Sequence, residues 1–281
     1  MTRVGNLLRA DFFRLWRSKS FWACMIFQVG TGAFVPVSCY LYAIQNPFPS
    51  SQHLDEELLS FLPFECILAA LFCTLFIGTD YSDGSVRNKL VVGHRRWEIY
   101  LSHLVTCTAG YLLMCVGYLL PYLAVGIPLF GFLQKDASTV LAYLGATLVL
   151  TVALTSLYAM LAMLISNRSV SAVVALVLSF VLLLSGSYLY SYLNYPPTYT
   201  QLTYDPVTGA MVEKETKYPF YLEGTKRDVY QLLCDVSPGG QVMQCTAWDA
   251  PNLPLLPVYS AALTVVTTGV GLWLFRRKDL K

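Results

Sequence analysis

Four kinds of residue in this sequence can do chemistry. They are an acid set inside an apolar stretch, Glu65; three histidines, His53, His94 and His103; two cysteines in a polar connection, Cys234 and Cys245; and a charged run from Asp83 to Arg96. Glu65 lies about seven residues, or roughly 10 Å of helix, inside an apolar stretch that opens at Leu58. An ionisable group at that depth reads either as a contact for a cation or substrate, or as a neutral or hydrogen-bonded carboxyl near the outer interface. Hydrolysis within a membrane would need paired acids or a His-containing constellation in the apolar stretches. Reading along the chain finds Glu65 alone, which argues against an enzyme. The histidines fall on different segments and no Cys-x-x-Cys occurs, so no metal site is expected. No G-x-x-x-x-G-K-[ST] loop occurs either, since Gly239-Gly240-Gln241 lacks the Lys and Ser/Thr that cradle a nucleotide's phosphates.

The elements that must position these residues follow from where charge is missing. The chain is 56% hydrophobic and 13% charged, against roughly 25% charged in soluble domains. Charge is cleared from six stretches: 20–54, 58–79 (broken by Glu65), 99–134, 137–167, 169–204 and 250–275. Each is long enough to cross a hydrocarbon core of about 30 Å as a helix. A Lys or Arg at mid-span would cost about 2.5 to 3.5 kcal/mol. The fold class is therefore all-α and integral to a membrane, with six transmembrane helices in one domain, 1–281. The amino terminus lacks the short basic, apolar and small-residue pattern of a cleaved signal, so the first helix is expected to be retained.

Basic residues orient it. Arg3, Arg9, Arg14, Arg17 and Lys19 precede the first span; Arg87, Lys89, Arg95 and Arg96 join the second to the third. Arg168 joins the fourth to the fifth, and Arg276, Arg277, Lys278 and Lys281 close the chain. The other side has Lys135 and, in the long connection, Lys214, Lys217, Lys226 and Arg227. The positive-inside rule then makes both termini cytoplasmic. Trp22, Trp97, Tyr100 and Trp273 at the inner ends, and Tyr40, Tyr42, Tyr122, Tyr188, Tyr190 and Tyr192 at the outer ends, fit headgroup depth.

Three extramembrane segments stand out. In residues 1–19, Val4, Leu7, Leu8, Phe12, Leu15 and Trp16 recur at helical spacing, predicting an interface helix whose basic face meets anionic lipid or a partner. In residues 80–98, Asp83-Gly84-Ser85 is a turn-and-cap signal, Val86 to Val92 predicts two helical turns, and Gly93 a stop. Val86 and Leu90 share a face, so the helix is expected to offer a soluble partner an apolar ridge with basic flanks. Residues 191–252 are too long for an idle loop, and Asp205-Pro206-Val207-Thr208-Gly209 predicts a hairpin within a compact outer cap. Cys24, Cys39, Cys66, Cys73, Cys107 and Cys115 lie in or beside spans, where Cys acts as a small hydrophobe. Cys234 and Cys245, on the outer, oxidising side, are expected to form a disulfide.

An acid near the end of the second span, then Asp83-Gly84-Ser85-Val86-Arg87-Asn88-Lys89, Gly93, Arg95, Arg96 and Ile99-Tyr100-Leu101-Ser102 opening the third, resembles the membrane permeases of ABC type 2 exporters. The basic amphipathic start, the six-span plan and the closing Phe275-Arg276-Arg277-Lys278 are similar as well. The resemblance implies a half-transporter in a bacterial plasma membrane that pairs with a second permease chain and a cytosolic P-loop ATPase. It implies no cofactor on this chain, ATP and Mg on the ATPase, lipid around the spans, and no nucleic acid. It assigns coupling to Asp83, Gly84, Ser85, Val86, Arg87, Asn88 and Lys89, flanked by Arg95 and Arg96. Residues 228–245, with Val229, Leu232, Leu233 and Val236 at near-helical spacing, would dip into the outer leaflet. The cargo implied is amphipathic or hydrophobic, such as an antimicrobial peptide or drug. The alternative is a non-pumping sensor or scaffold with a ligand on its outer cap and a partner on its basic inner surface.

Overall fold

The computed structural model describes residues 3–45, 53–204 and 211–278. The predicted turn at 205–209, the terminal Lys281 and the side chains of Arg3, Val4 and Lys214 lie outside the described residues. Among the described residues, six helices have the length and apolar composition to cross a membrane. They are α2 (Lys19–Gln45), α3 (Leu62–Ser82), α5 (Arg96–Phe130), α6 (Ala137–Leu164), α7 (Arg168–Leu193) and, after a short turn from Leu253, α10 (Leu256–Arg277). Each corresponds to one charge-free stretch of the sequence. The chain is thus a multi-pass helical membrane protein.

Burial ranks the six. In its most apolar window α3 is 67% buried and α6 56%, whereas α2 and α10 are each 22% buried. The central pair α3 and α6 therefore packs on protein, and the others turn apolar faces outward: on α7, Val173, Val177, Val181 and Leu184 are all exposed. Such faces are costly in water and neutral in lipid. Helices approach closely where side chains are small. A Cβ on Gly32 of α2 would land on the Tyr118 carbonyl of α5.

Hydrogen bonds between span ends fix which ends sit together. Arg96 Nη1 donates to the Phe275 carbonyl at 3.0 Å and the Arg276 carbonyl at 3.2 Å, and Lys278 Nζ to the Met163 carbonyl at 2.8 Å. These contacts gather the start of α5, the end of α6 and the end of α10. At the other end, Tyr122 Oη donates to the Leu54 carbonyl at 2.7 Å, and Asp55 Oδ2 accepts from the amides of Gln134 and Lys135 at 2.7 and 2.8 Å.

Two further helices lie at the first end. The predicted interface helix is α1 (Arg3–Arg17), with Leu8 and Phe12 of its apolar set half-buried. Leu7, Asp11 and Leu15 are buried against the bundle at four-residue spacing, while Phe13 and Trp16 are exposed. The predicted short helix is α4 (Ser85–Val91). It is bounded by Gly84 at φ +67° and Gly93 at φ +97°, a left-handed geometry that Gly adopts without a Cβ clash.

At the opposite end, between α7 and α10, strands β1 (Thr198–Tyr204) and β2 (Met211–Lys217) pair antiparallel, with Thr198 opposite Lys217 and Tyr204 opposite Met211. Helices α8 (Thr225–Val236) and α9 (Pro238–Thr246) follow. One side of α8 leaves Val229, Leu232, Leu233 and Val236 about half exposed. From its other side Asp235 accepts from Gln231 at 2.7 Å, Gln244 at 3.0 Å and Asn252 at 2.8 Å. Helix α9 is almost wholly buried.

Candidate functional site

Among the described residues, the largest concentration of buried charge lies where α1, α3, α4 and α5 meet. Asp11 of α1, Asp80 of α3, and Ser102 and His103 of α5 are each at most 2% exposed. Lys89 of α4 reaches in from the side, its Nζ 2.8 Å from Asp11 Oδ1 and 3.0 Å from Asp80 Oδ2. Ser102 Oγ donates to Asp11 Oδ2 at 2.5 Å. The Arg14 guanidinium meets Asp80 and stacks 4.1 Å above the Phe76 ring. The consecutive helices α3, α4 and α5 and the distant α1 are thus joined by two carboxylates and the cations between them.

Proton positions follow from the partners. His103 Nδ1 faces the Ile99 carbonyl at 2.7 Å, which only accepts, so Nδ1 carries hydrogen. His103 Nε2 is 2.7 Å from Asp80 Oδ2, so a second proton lies on that contact. Burial by itself would raise the Asp11 carboxyl. The charges of His103 and Lys89, with hydrogen bonds from Lys89 and Ser102, outweigh it and hold Asp11 below its ordinary value. Burial lowers the Lys89 ammonium, and Asp11 opposes that shift. Ligand atoms of Asp11, Asp80 and His103 lie within 4.8 Å of one another, a spacing that suits a divalent cation. The Lys89 ammonium sits between the two carboxylates and supplies the positive charge there.

This geometry divides the predicted coupling residues. Val86 is buried and Leu90 half-buried, so the expected apolar ridge faces the bundle and is not offered to a partner. Lys89 points inward with it. Arg96 caps the carbonyls that end α10, which lack partners within their own helix. The outward surface comprises Asp83, Arg87, Asn88 and Arg95 with Val91 and Val92, the two valines 81% and 79% exposed. Gly84 and Ser85 form the bend that enters α4. A groove of about 290 Å³ separates α1 from α4, lined by Asn6, Leu7, Ala10, Asn88, Val92 and His94.

Glu65 lies in the first turn of α3, nearer the helix end than the apolar stretch suggested, because residues 54–61 form turns. It is fully buried. Oε1 accepts from Cys115 Sγ at 2.6 Å and Oε2 from Thr151 Oγ at 3.4 Å, and the Tyr111 hydroxyl bonds its carbonyl. The geometry matches a hydrogen-bonded carboxyl that ties α3 to α5 and α6. Glu65→Ala is expected to cost about 3 kcal/mol, from lost bonds and a cavity. Glu65→Gln, which keeps shape and acceptor, should cost less than about 1 kcal/mol. Thermal unfolding in detergent compares them, and equal losses would mean that charge, not shape, matters.

The expected disulfide does not form. Cys234 and Cys245 are separate buried thiols. Gln244 Nε2 donates to Cys234 at 3.3 Å, so the next residue, Cys245, about 100° further round α9, points away, toward Thr147 of α6. Burial pushes the Cys234 thiol up to about 11, which keeps it protonated and unreactive.

Reading the sequence missed the charge cluster because Asp11 lies about 70 residues before Asp80, and helical spacing along the 80–103 segment does not show that Asp80, Lys89 and His103 converge. The one available signal was Asp11, the sole acid among the first 19 residues, set on the Leu7-Asp11-Leu15 stripe where an apolar residue belongs. No model of a known protein family matches this chain, and no curated protein does.

Proposed function

We propose that this protein is the membrane-spanning subunit of an ATP-binding-cassette exporter, with α4 as the coupling helix to a separate cytosolic ATPase. The observation that supports it most is the Lys89 bridge. A short helix with an exposed outer surface is tied by buried charge to α3, and through the shared carboxylates to α1 and α5. An ATPase that grips Arg87, Asn88, Arg95 and the exposed valines would move α4. Because buried ion pairs strongly resist separation, that displacement would pass to the ends of the second and third spans. The ATPase binds ATP and Mg; this chain supplies the path, with a second permease chain completing it. Apolar spans with scattered hydroxyls suit an amphipathic or hydrophobic cargo, such as an antimicrobial peptide or drug. The excess of basic residues at the α4 end makes that end, and both termini, cytoplasmic.

The test reconstitutes the chain in nanodiscs with a purified P-loop ATPase from the same cell and measures ATP hydrolysis. Arg87→Glu with Arg95→Glu is expected to abolish association. Lys89→Met is expected to keep association and lose stimulation of hydrolysis. If the ATPase neither binds nor responds to the wild-type chain, the exporter reading fails and a non-pumping sensor or scaffold replaces it.

A further inference from the structure

A second basic feature, adjoining the outward surface of α4 at Asp83, lies where α2 and α7 begin and α3 ends. A cavity of about 320 Å³ opens there, with Arg17, Lys19, Arg168 and Arg14 around it, Phe76 on its wall and Asp83 at its edge. Arg14 is committed to Asp80. Among the described residues no carboxylate pairs with Arg17, Lys19 or Arg168, so three cations face one acid. The cavity is also built to hold Arg168. Its stem lies across Gly78 of α3, where a Cβ would come within 2.8 Å of Arg168 Cγ.

The position of the cavity selects the ligand. Two spans begin at its edge, at Lys19 and Arg168, so it opens at the depth of lipid headgroups. Further along the same helices, Trp22 on α2 and Val170, Val173 and Val177 on α7 are exposed, giving acyl chains an apolar surface that continues from the basic rim. Convergent cations with an apolar track beside them fit a phosphate that carries fatty chains. We propose that this cavity binds the headgroup phosphate of an anionic glycerophospholipid through Arg17, Lys19 and Arg168. The site does not depend on the exporter reading, since it requires only that the six helices span a bilayer.

Native mass spectrometry of the full-length protein, delipidated and then offered equal phosphatidylglycerol and phosphatidylcholine, tests this. With three cations converging on an anionic headgroup, the wild type should retain one phosphatidylglycerol with at least about tenfold preference. Arg17→Ala/Lys19→Ala/Arg168→Ala should reduce the preference to within about twofold. All three side chains are exposed, so the fold should survive, as an unchanged melting curve would verify. Arg9→Ala/Arg276→Ala/Arg277→Ala, which removes equal charge from exposed positions elsewhere, should retain the wild-type preference. An indifferent wild type, or equal loss in both triple variants, would overturn the site. Displacement of the lipid by inorganic phosphate at about 10 mM would instead make it a soluble-phosphate site and overturn the lipid assignment.

Discussion

Lys89→Met is expected to destabilise the α4 end of the protein by about 3 kcal/mol, whereas Arg87→Met, two residues earlier in the same basic motif, should change stability by less than about 0.5 kcal/mol. The contrast comes from the surroundings. Arg87 is exposed. Lys89 lies between Asp11 and Asp80, each 2% exposed, and removing its ammonium leaves both carboxylates facing each other in a weakly screening interior. Arg14 and His103 remain nearby, which places the cost at the low end of the usual 3 to 5 kcal/mol for a broken buried pair. Neutralising one acid should relieve the conflict, so Lys89→Met/Asp11→Asn should recover most of the loss. Thermal unfolding in detergent gives the double-mutant cycle, and hydrogen exchange across 3–17 shows whether α1 releases when Lys89 is absent. Strictly additive losses would mean that Lys89 and Asp11 do not act on one another.

Gly239→Ala is expected to be the most damaging single-methyl substitution in the α8–α9 segment, at about 3 kcal/mol or more. Three glycines interlock there. A Cβ on Gly239 would fall on the Leu182 carbonyl of α7, one on Gly186 of α7 on the backbone of Gly239 and Gly240, and one on Gly240 on the Cys234 carbonyl of α8. All three obstacles are backbone, which cannot rotate away as a side chain can. Helix α9 would have to leave α7, straining the bond from Ser260 Oγ to Gln241 Oε1 at 2.6 Å and the Asp235 cluster. The readouts are a lower melting temperature and faster tryptic cleavage after Lys226 and Arg227. Gly145→Ala is the control: a Cβ at Gly145 meets nothing within 4 Å, and Ala favours a helix interior, so it should be neutral or stabilising by up to about 1 kcal/mol. Equal effects at the two positions would rule out the close packing.

What the sequence determined by itself is everything that rests on averages over many residues. Six charge-free stretches became six membrane-length helices, because each span sums some twenty small transfer free energies of one sign and no single contact reverses the total. The bend at Gly84, the stop at Gly93 and the paired strands β1 and β2 were legible for a local reason: turn geometry is set by neighbours in the chain. Tertiary structure alone decided which way single side chains face. Val86 and Leu90 share a face in either setting, but only packing shows that this face is the inner one. Cys234 and Cys245 have a loop length compatible with a disulfide, but the rotation of α9 puts Gln244, not Cys245, beside Cys234. The meeting of Asp11, Asp80, Lys89 and His103 was hidden for the same reason. A buried charge needs partners, but Coulomb attraction acts through space and carries no record of sequence spacing, so the partners come from whichever helices the bundle brings together.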